Sequence, residues 1–372
     1  MVPLYLESLG IEPFVIGVIL ASHALVSALG ALIAPRFILA MPFKRVLGLG
    51  ISLLTVGCLS FATFTFVPLL VLGQMVGGLS SIMIVIATQS YVGQISLRSH
   101  LARNFSLLVS TFGVAGIIGP TLAGTIERAL SYRWAFLIMA GISVVALFTS
   151  RFVGNEKVEG SGGSTDVNWE SMKVLLRGPG FQAGLIVTVA AISILSLSMS
   201  FYPLYLASIG LSTQLIGILL SLRSLGELVA PVTIRLAEAW LGRWRLLLAT
   251  LTLGILLMVV IPSLTSLNAL LVTALLLGIS FGFAVPISLA LVSENAGSDQ
   301  RALAMSVRFA VNRGTDSVGP LLFGTVVHLW NYAAAFYACG TYLLWTLSYA
   351  IRHRSLIAGV PEKEDESLET TG

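Results

Sequence analysis

The sequence predicts an all-α polytopic membrane protein built as two pseudo-symmetric helix bundles. Composition, span-length apolar runs and an internal repeat carry that expectation. Of 372 residues, 56% are hydrophobic and 10% are charged, against about 25% charged in an average soluble domain. The mean hydropathy is +0.94. A water-soluble enzyme of this length needs more polar surface, and a disordered chain needs fewer apolar residues. Both classes are excluded. The pI of about 9.2 reflects basic residues scattered through short loops rather than a basic stripe, so no nucleic-acid partner is expected. Cys58 and Cys339 lie in apolar runs without CxxC spacing or neighbouring His, and they read as inert core residues. No cofactor and no metal is expected.

A helix needs about 20 apolar residues to cross a hydrocarbon core of about 30 Å. Runs of that length occupy 13–35, 46–66, 68–91, 104–126, 134–153, 180–206, 212–234, 244–262, 268–292, 302–328 and 333–351. Lipid cannot satisfy open backbone groups, so each run is predicted to be a helix. Residues 1–153 form an N-terminal bundle of spans and 180–352 a C-terminal bundle. Between them, 154–179 is a polar, Gly/Ser-rich linker, in which Val167 to Arg177 reads as an amphipathic surface helix with Trp169 at the headgroups. The tail, 353–372, is acidic from Pro361 and reads as disordered.

Basic residues set the orientation. Of the 21 Lys and Arg, sixteen fall in loops and ends on one side, among them Lys44, Arg45, Lys173, Arg177, Arg243 and Arg352; Arg128 and Arg133 fall on the other. The positive-inside rule places the linker and the C-terminus in the cytoplasm, as expected of a multi-pass protein of the plasma (inner) membrane.

The halves repeat each other at a constant shift of 200 residues. Pro3, Leu4, Tyr5, Leu6, Ser8, Gly10, Ile16, Gly17 and Leu20 meet identical residues from Pro203 to Leu220. The same shift pairs Gly119, Pro120, Gly124 and Thr125 with Gly319, Pro320, Gly324 and Thr325, and Tyr132, Ala135 and Phe136 with Tyr332, Ala335 and Phe336. Shared membrane composition explains matches of Leu and Ile, but not Pro, Tyr and Gly in order. The repeat also places Pro3 where Pro203 follows a full span beginning near Phe181. An intact protein is therefore expected to carry a further, twelfth span before Met1, the first helix being largely missing here.

A duplicated bundle with a cytoplasmic linker resembles the major facilitator superfamily of secondary transporters, and the resemblance covers essentially the whole chain. That family's G-x-L-A-D-R-x-G-R-R loop is echoed by Leu236, Ala237, Glu238, Gly242, Arg243, Trp244 and Arg245. In the first half it has decayed to Leu39, Ala40, Met41, Pro42, Phe43, Lys44 and Arg45, without the acidic residue or the Gly. Gly119-Pro120-x-x-Ala123-Gly124 is similar to the GPxxGG pattern of antiporters. The position of the fourth-helix Arg of proton-coupled drug exporters holds Gly73, beside Gln74. The resemblance implies alternating access of two rocking halves around a central site. Glu238, Gly242, Arg243, Gly119 and Pro120 are the candidate conformational residues, and Gly113, Gly116 and Gly119 suit close helix approach.

Charges inside spans are costly and mark pathways or paired networks. Arg223 and Glu227 share one helix face at i, i+4, as do Arg308, Asn312 and Asp316, with Arg313 beside them. His23 is the repeat mate of Arg223. With Gln74 they make up the candidate substrate or proton pathway, and a balanced structural ion network is the competing reading. The expected function is secondary active transport of a small solute, coupled to an ion or to protons. The mixed charges favour a polar or anionic solute. A non-transporting sensor or scaffold of the same fold, and a multidrug or metabolite efflux antiporter, remain open. None of the four His residues supplies HExxH spacing, so a membrane metallohydrolase is not supported.

Overall fold

The computed structural model describes residues 1–38, 41–96, 100–152, 169–296 and 300–353. The expected linker segment up to residue 168 and the tail from residue 354 lie outside them. The described chain is helical. The first half comprises α1 (Val2–Ser8), α2 (Pro13–Ile38), α3 (Phe43–Thr63), α4 (Val67–Ile95), α5 (Leu101–Ala129) and α6 (Tyr132–Thr149). The short α7 (Trp169–Arg177) leads into the second half: α8 (Pro179–Ser200), α9 (Tyr202–Ser208), α10 (Thr213–Val260), α11 (Leu267–Glu294), α12 (Arg301–Leu329) and α13 (Tyr332–Arg352).

Eight stretches are apolar and long enough to cross a membrane on those grounds alone. The other three expected spans, α5, α12 and α13, have the length, at 29, 29 and 21 residues, but carry more polar side chains. Their place in the bundle, rather than apolarity, makes them part of the membrane fold. Ile118, Val145, Leu322 and Ile351 stand exposed on the outside, which suits a surface facing lipid rather than water.

Two expected elements differ. The run 180–206 is broken: α8 ends at Ser200 and α9 restarts at Tyr202. Pro203 has no N–H, and its ring clashes with the preceding turn, so a continuous helix is disfavoured there. The run 212–234 continues to Leu241 before the chain breaks at Gly242, whose φ of 72° and ψ of 151° lie in a region open to glycine.

The repeat is visible in contacts. Tyr5 meets Phe136 edge-on at 5.3 Å, and Tyr205 meets Phe336 at 5.3 Å. Ser80 donates to the Gly50 carbonyl, and Ser280 to that of Thr250. The halves meet where α2 runs along α12 and α5 along α10. At one end of both contacts bare backbone touches backbone: Gly17 faces the Pro320 carbonyl and Gly217 the Pro120 carbonyl. Polar contacts join the halves at that same end. Thr121 bonds Ser221 at 2.8 Å, Arg128 bonds Gln214 at 2.8 Å, Thr213 donates to Glu127, Tyr332 donates to Glu7 at 2.8 Å, and His328 lies 3.8 Å from Glu12.

The repeat is not exact: Ser196 of α8 packs on Gly319, whereas Gly119, the repeat mate of Gly319, has no such neighbour.

Candidate functional site

The two repeat-related helix contacts each enclose a cavity. Between α5, α8 and α10 lies one of about 330 Å³, lined by Phe112, Gly113, Gly116, Leu195, Met199, Arg223, Ser224, Glu227 and Leu228. The i, i+4 spacing on α10 brings Arg223 and Glu227 together, with Nη2 3.3 Å from Oε2. Their exposures differ sharply: the Arg223 side chain is 1% exposed and that of Glu227 40%. Arg223 Nη2 also lies 3.4 Å from Ser224 Oγ. Its Nε and Nη1 have no hydrogen-bond partner. Close packing explains the burial, because Gly278 of α11 lies directly on the Arg223 backbone.

Between α2, α4, α8 and α12 lies a second cavity, of about 290 Å³. His23, Gln74, Asp316, Ser196, Ser200 and Met199 are among its walls. His23 and Asp316 face each other across the two halves and are within electrostatic reach. Gly78 abuts the His23 backbone as Gly278 abuts Arg223, so the repeat positions the two side chains alike while their chemistry differs.

The expected run Arg308, Asn312, Asp316 does not act as one face. Asp316 pairs with Arg313 instead, Oδ2 to Nη1 at 3.7 Å, and the Arg313 guanidinium lies over Phe309, 5.2 Å from the ring centre. Arg308 turns away to α11, where Nη2 donates to Ser288 Oγ at 2.9 Å and to the Val285 carbonyl at 3.4 Å. Asn312 is half-buried and lines neither cavity. Nor do α10 and α12 share one charge network: Glu227 belongs to the first cavity and Asp316 to the second.

The conformational candidates also divide. Arg243 reaches Glu238 Oε1 at 3.5 Å and Glu294 Oε2, at the end of α11, at 2.5 Å. Arg243 directly follows the break at Gly242. In the first half Phe43, the repeat mate of Arg243, stacks on Tyr91 at 4.1 Å with planes 16° apart. An aromatic contact thus replaces the ion pair. Pro120 takes part in the contact with Gly217, while Gly119 makes no close approach. Gly113 and Gly116 do approach α10, at Leu228 and Ser224.

The family model described as Major Facilitator Superfamily matches residues 1–313 and 188–367. The chain belongs to the Major Facilitator Superfamily. Among curated superfamily relatives, the azole resistance protein 1 of Saccharomyces cerevisiae is 27% identical over 142 residues, 38% of this chain and 23% of that protein. The multidrug resistance protein 2 of Bacillus subtilis is 22% identical over 158 residues, 42% of this chain and 39% of that one. The match therefore spans less than half of either relative. Among solved structures, the nucleoside transporter NupG superposes with a TM-score of 0.75 at 14% identity, covering 96% of this chain and 94% of that one. A POT family transporter in complex with 5-aminolevulinic acid gives 0.70 at 15%, covering 92% and 88%. At such identities the likeness is one of fold. Family and fold point to a transporter rather than an enzyme.

Within this superfamily fold, several wall residues carried no signal in the sequence. Met199 lines both cavities, yet in an apolar run it is one more hydrophobic residue. Ser196 is 2% exposed with an unpartnered hydroxyl, and Ser is common in spans. Tyr202 carried a clue, standing just before the repeated Pro-Leu-Tyr-Leu; its buried hydroxyl has no partner and lies within reach of the Arg223 charge.

Proposed function

We propose that this protein is a secondary active carrier that moves a small solute by alternating access, with proton coupling through Glu227. The observation that carries the reading is the place of the Arg223–Glu227 pair. It lines a cavity walled by α5 of one half and by α8 and α10 of the other, so rocking of the halves must alter its surroundings. Glu227 gains or loses a charge with a proton, whereas Arg223 stays charged. A group whose proton affinity differs between two arrangements biases them, and the bias is reciprocal. The solved structures of the same fold, a nucleoside transporter and a POT family transporter in complex with 5-aminolevulinic acid, support a small solute. The excess of basic residues around Lys44, Arg151, Arg243 and Arg352 favours a cytoplasmic C-terminus, with the contacts at Gly17 and Gly217 toward the outer side. The plasma membrane is the expected location.

A metabolite export screen in an expressing strain first identifies a solute. Purified protein in sealed vesicles then tests the coupling. Glu227→Gln is expected to abolish gradient-driven accumulation and to leave counterflow exchange largely intact, because exchange needs no net proton movement. Folded Glu227→Gln protein with unchanged pH-dependent accumulation removes Glu227 from the mechanism. Binding without any movement favours a sensor.

A second reading, efflux of toxic apolar compounds, draws on the names of the two resistance relatives. It also draws on an apolar cavity of about 340 Å³ lined by Pro120, Ala123, Met139 and Leu220. An expressing strain with no gain of resistance across azoles and dyes counts against it.

A further inference from the structure

We propose that the groove between α12 and α13 holds one acyl chain of a bilayer lipid, which makes a lipid a bound partner of the second half.

The groove has a volume of about 630 Å³, within the range of about 300–1,000 Å³ usual for ligand sites. All its walls belong to one half. Val189 and Ser193 of α8 form one side, α12 between Val311 and Val326 a second, and Ala338 and Tyr342 of α13 a third. It is long as well as roomy. At about 1.5 Å per residue, the wall on α12 extends for about 22 Å along the helix. One leaflet is shorter, about half of a 30 Å hydrocarbon core. A compact solute has no use for such length, whereas an extended acyl chain does.

The chemistry of the walls argues the same way. None of the described lining residues is charged. Of the hydroxyl side chains there, Thr315 donates to the Val311 carbonyl at 2.8 Å and Tyr342 to the Ile186 carbonyl at 3.4 Å, which leaves Ser193. On the rim Val318 and Leu322 are 49% and 59% exposed, so the groove opens sideways to the bilayer. Lipid tails are as apolar as these walls, and dispersion packing is what holds a chain there.

The repeat shows that the room is particular to this half. At the shift of 200 residues, Gly314, Ala338 and Cys339 stand where the first half has Val114, Ile138 and Met139. Each exchange takes side-chain volume out of the wall. A Cβ added at Gly314 meets nothing within 4 Å. Phe323 and Tyr342 are larger than their mates Ala123 and Ile142, yet the groove stays open. Phe323, 8% exposed, is its buried floor, and Tyr342 is tied to α8. On α12, Thr315 lines the groove and Asp316 lines the cavity of His23. A bound chain therefore backs the helix that carries Asp316.

The test uses the full chain in phospholipid vesicles with a trace of phosphatidylcholine that carries a diazirine midway along one acyl chain. Photolysis is expected to label the groove residues of α12 and α13 well above Leu344, which is exposed on α13 outside the groove. Gly314→Val with Ala338→Ile and Cys339→Met gives the groove the residues of the first half. Groove labelling is then expected to fall at least about fivefold, the low end of an overpacking cost, with Leu344 labelled as before. Ala338→Ile alone is the second variant if the triple change does not fold, and circular dichroism checks both. Even labelling of the two faces overturns the proposal, as does unchanged groove labelling in a folded variant. Native mass spectrometry of the unmodified chain in detergent is expected to show a monomer carrying one phospholipid, which the filled variant lacks. A lipid-free chain overturns the proposal. So does a pair of chains that the filled variant loses in place of a lipid, since the groove is then an interface between copies.

Discussion

Gly217 on α10 lies against the Pro120 carbonyl of α5 so closely that a Cβ there overlaps the oxygen. Gly17 and Pro320 repeat the contact between α2 and α12. The two halves therefore touch through backbone at both helix pairs, and only glycine permits that spacing.

Gly217→Ala is expected to push the halves apart at this end. Overpacking of this kind costs about 1–3 kcal/mol, enough to shift a two-state equilibrium by roughly fivefold to a hundredfold. Arg128 and Gln214, bonded at 2.8 Å, join the halves at this end. Cysteines at these two positions joined by a short thiol cross-linker report closure. Cross-linking that is equal with and without Gly217→Ala contradicts a role for this contact in holding the halves together.

The Arg243–Glu294 pair ties the loop after the first part of α10 to the end of α11. Both side chains are partly exposed, 26% and 50%, so thermal stability is expected to change by less than about 1 kcal/mol when either is replaced. The turnover rate is expected to fall in Arg243→Ala and in Glu294→Ala, and no further in the double variant. Exchanging the two charges is expected to restore part of the rate. Additive rate losses in the cycle show that the two residues act independently.

Arg308 is expected to brace α12 on α11 rather than to touch solute. Ser288→Ala removes its 2.9 Å acceptor and is expected to cost about 1–3 kcal/mol, read as a lowered unfolding midpoint. Replacing both residues, Arg308→Met with Ser288→Ala, is expected to recover most of that loss, because the buried charge leaves with its partner. Altered solute preference at unchanged stability assigns Arg308 to the transport path instead.

Sidedness is tested with one exposed residue from each end. Arg177→Cys on α7 and Ser208→Cys at the end of α9 are expected to react with an impermeant thiol reagent from opposite sides of sealed cells, Ser208→Cys from outside. Labelling of both from outside refutes the topology.

What was legible in the sequence is local or repeated. The amphipathic α7 announced itself through residues 167–177 and was found at Trp169–Arg177. The Arg223–Glu227 pair followed from helix spacing. The Glu238–Gly242–Arg243 motif was visible, though not its partner Glu294, 51 residues away from Arg243. The same local rule failed on α12. There the spacing of Arg308, Asn312 and Asp316 suggested one face, but Asp316 took the i, i+3 partner Arg313, and Arg308 found Ser288 across the helix boundary. Helix geometry offers each charge several neighbours, and the packing of adjoining helices selects among them.

By itself the sequence determined the helical membrane class, the duplication and the charged candidates. Each depends on quantities written along the chain: apolar length against bilayer thickness, identical residues at a constant shift, and spacing on one helix. Only the tertiary structure decided that His23 and Gln74 of one half share a cavity with Asp316 of the other. It also decided that Glu227 sits in a different cavity from Asp316. Those outcomes depend on how deeply each helix sits and how it is rotated against its neighbour. The close fit of Gly17 to Pro320 and of Gly217 to Pro120 is one such constraint, and a carbonyl contact between halves leaves no periodic trace in the chain.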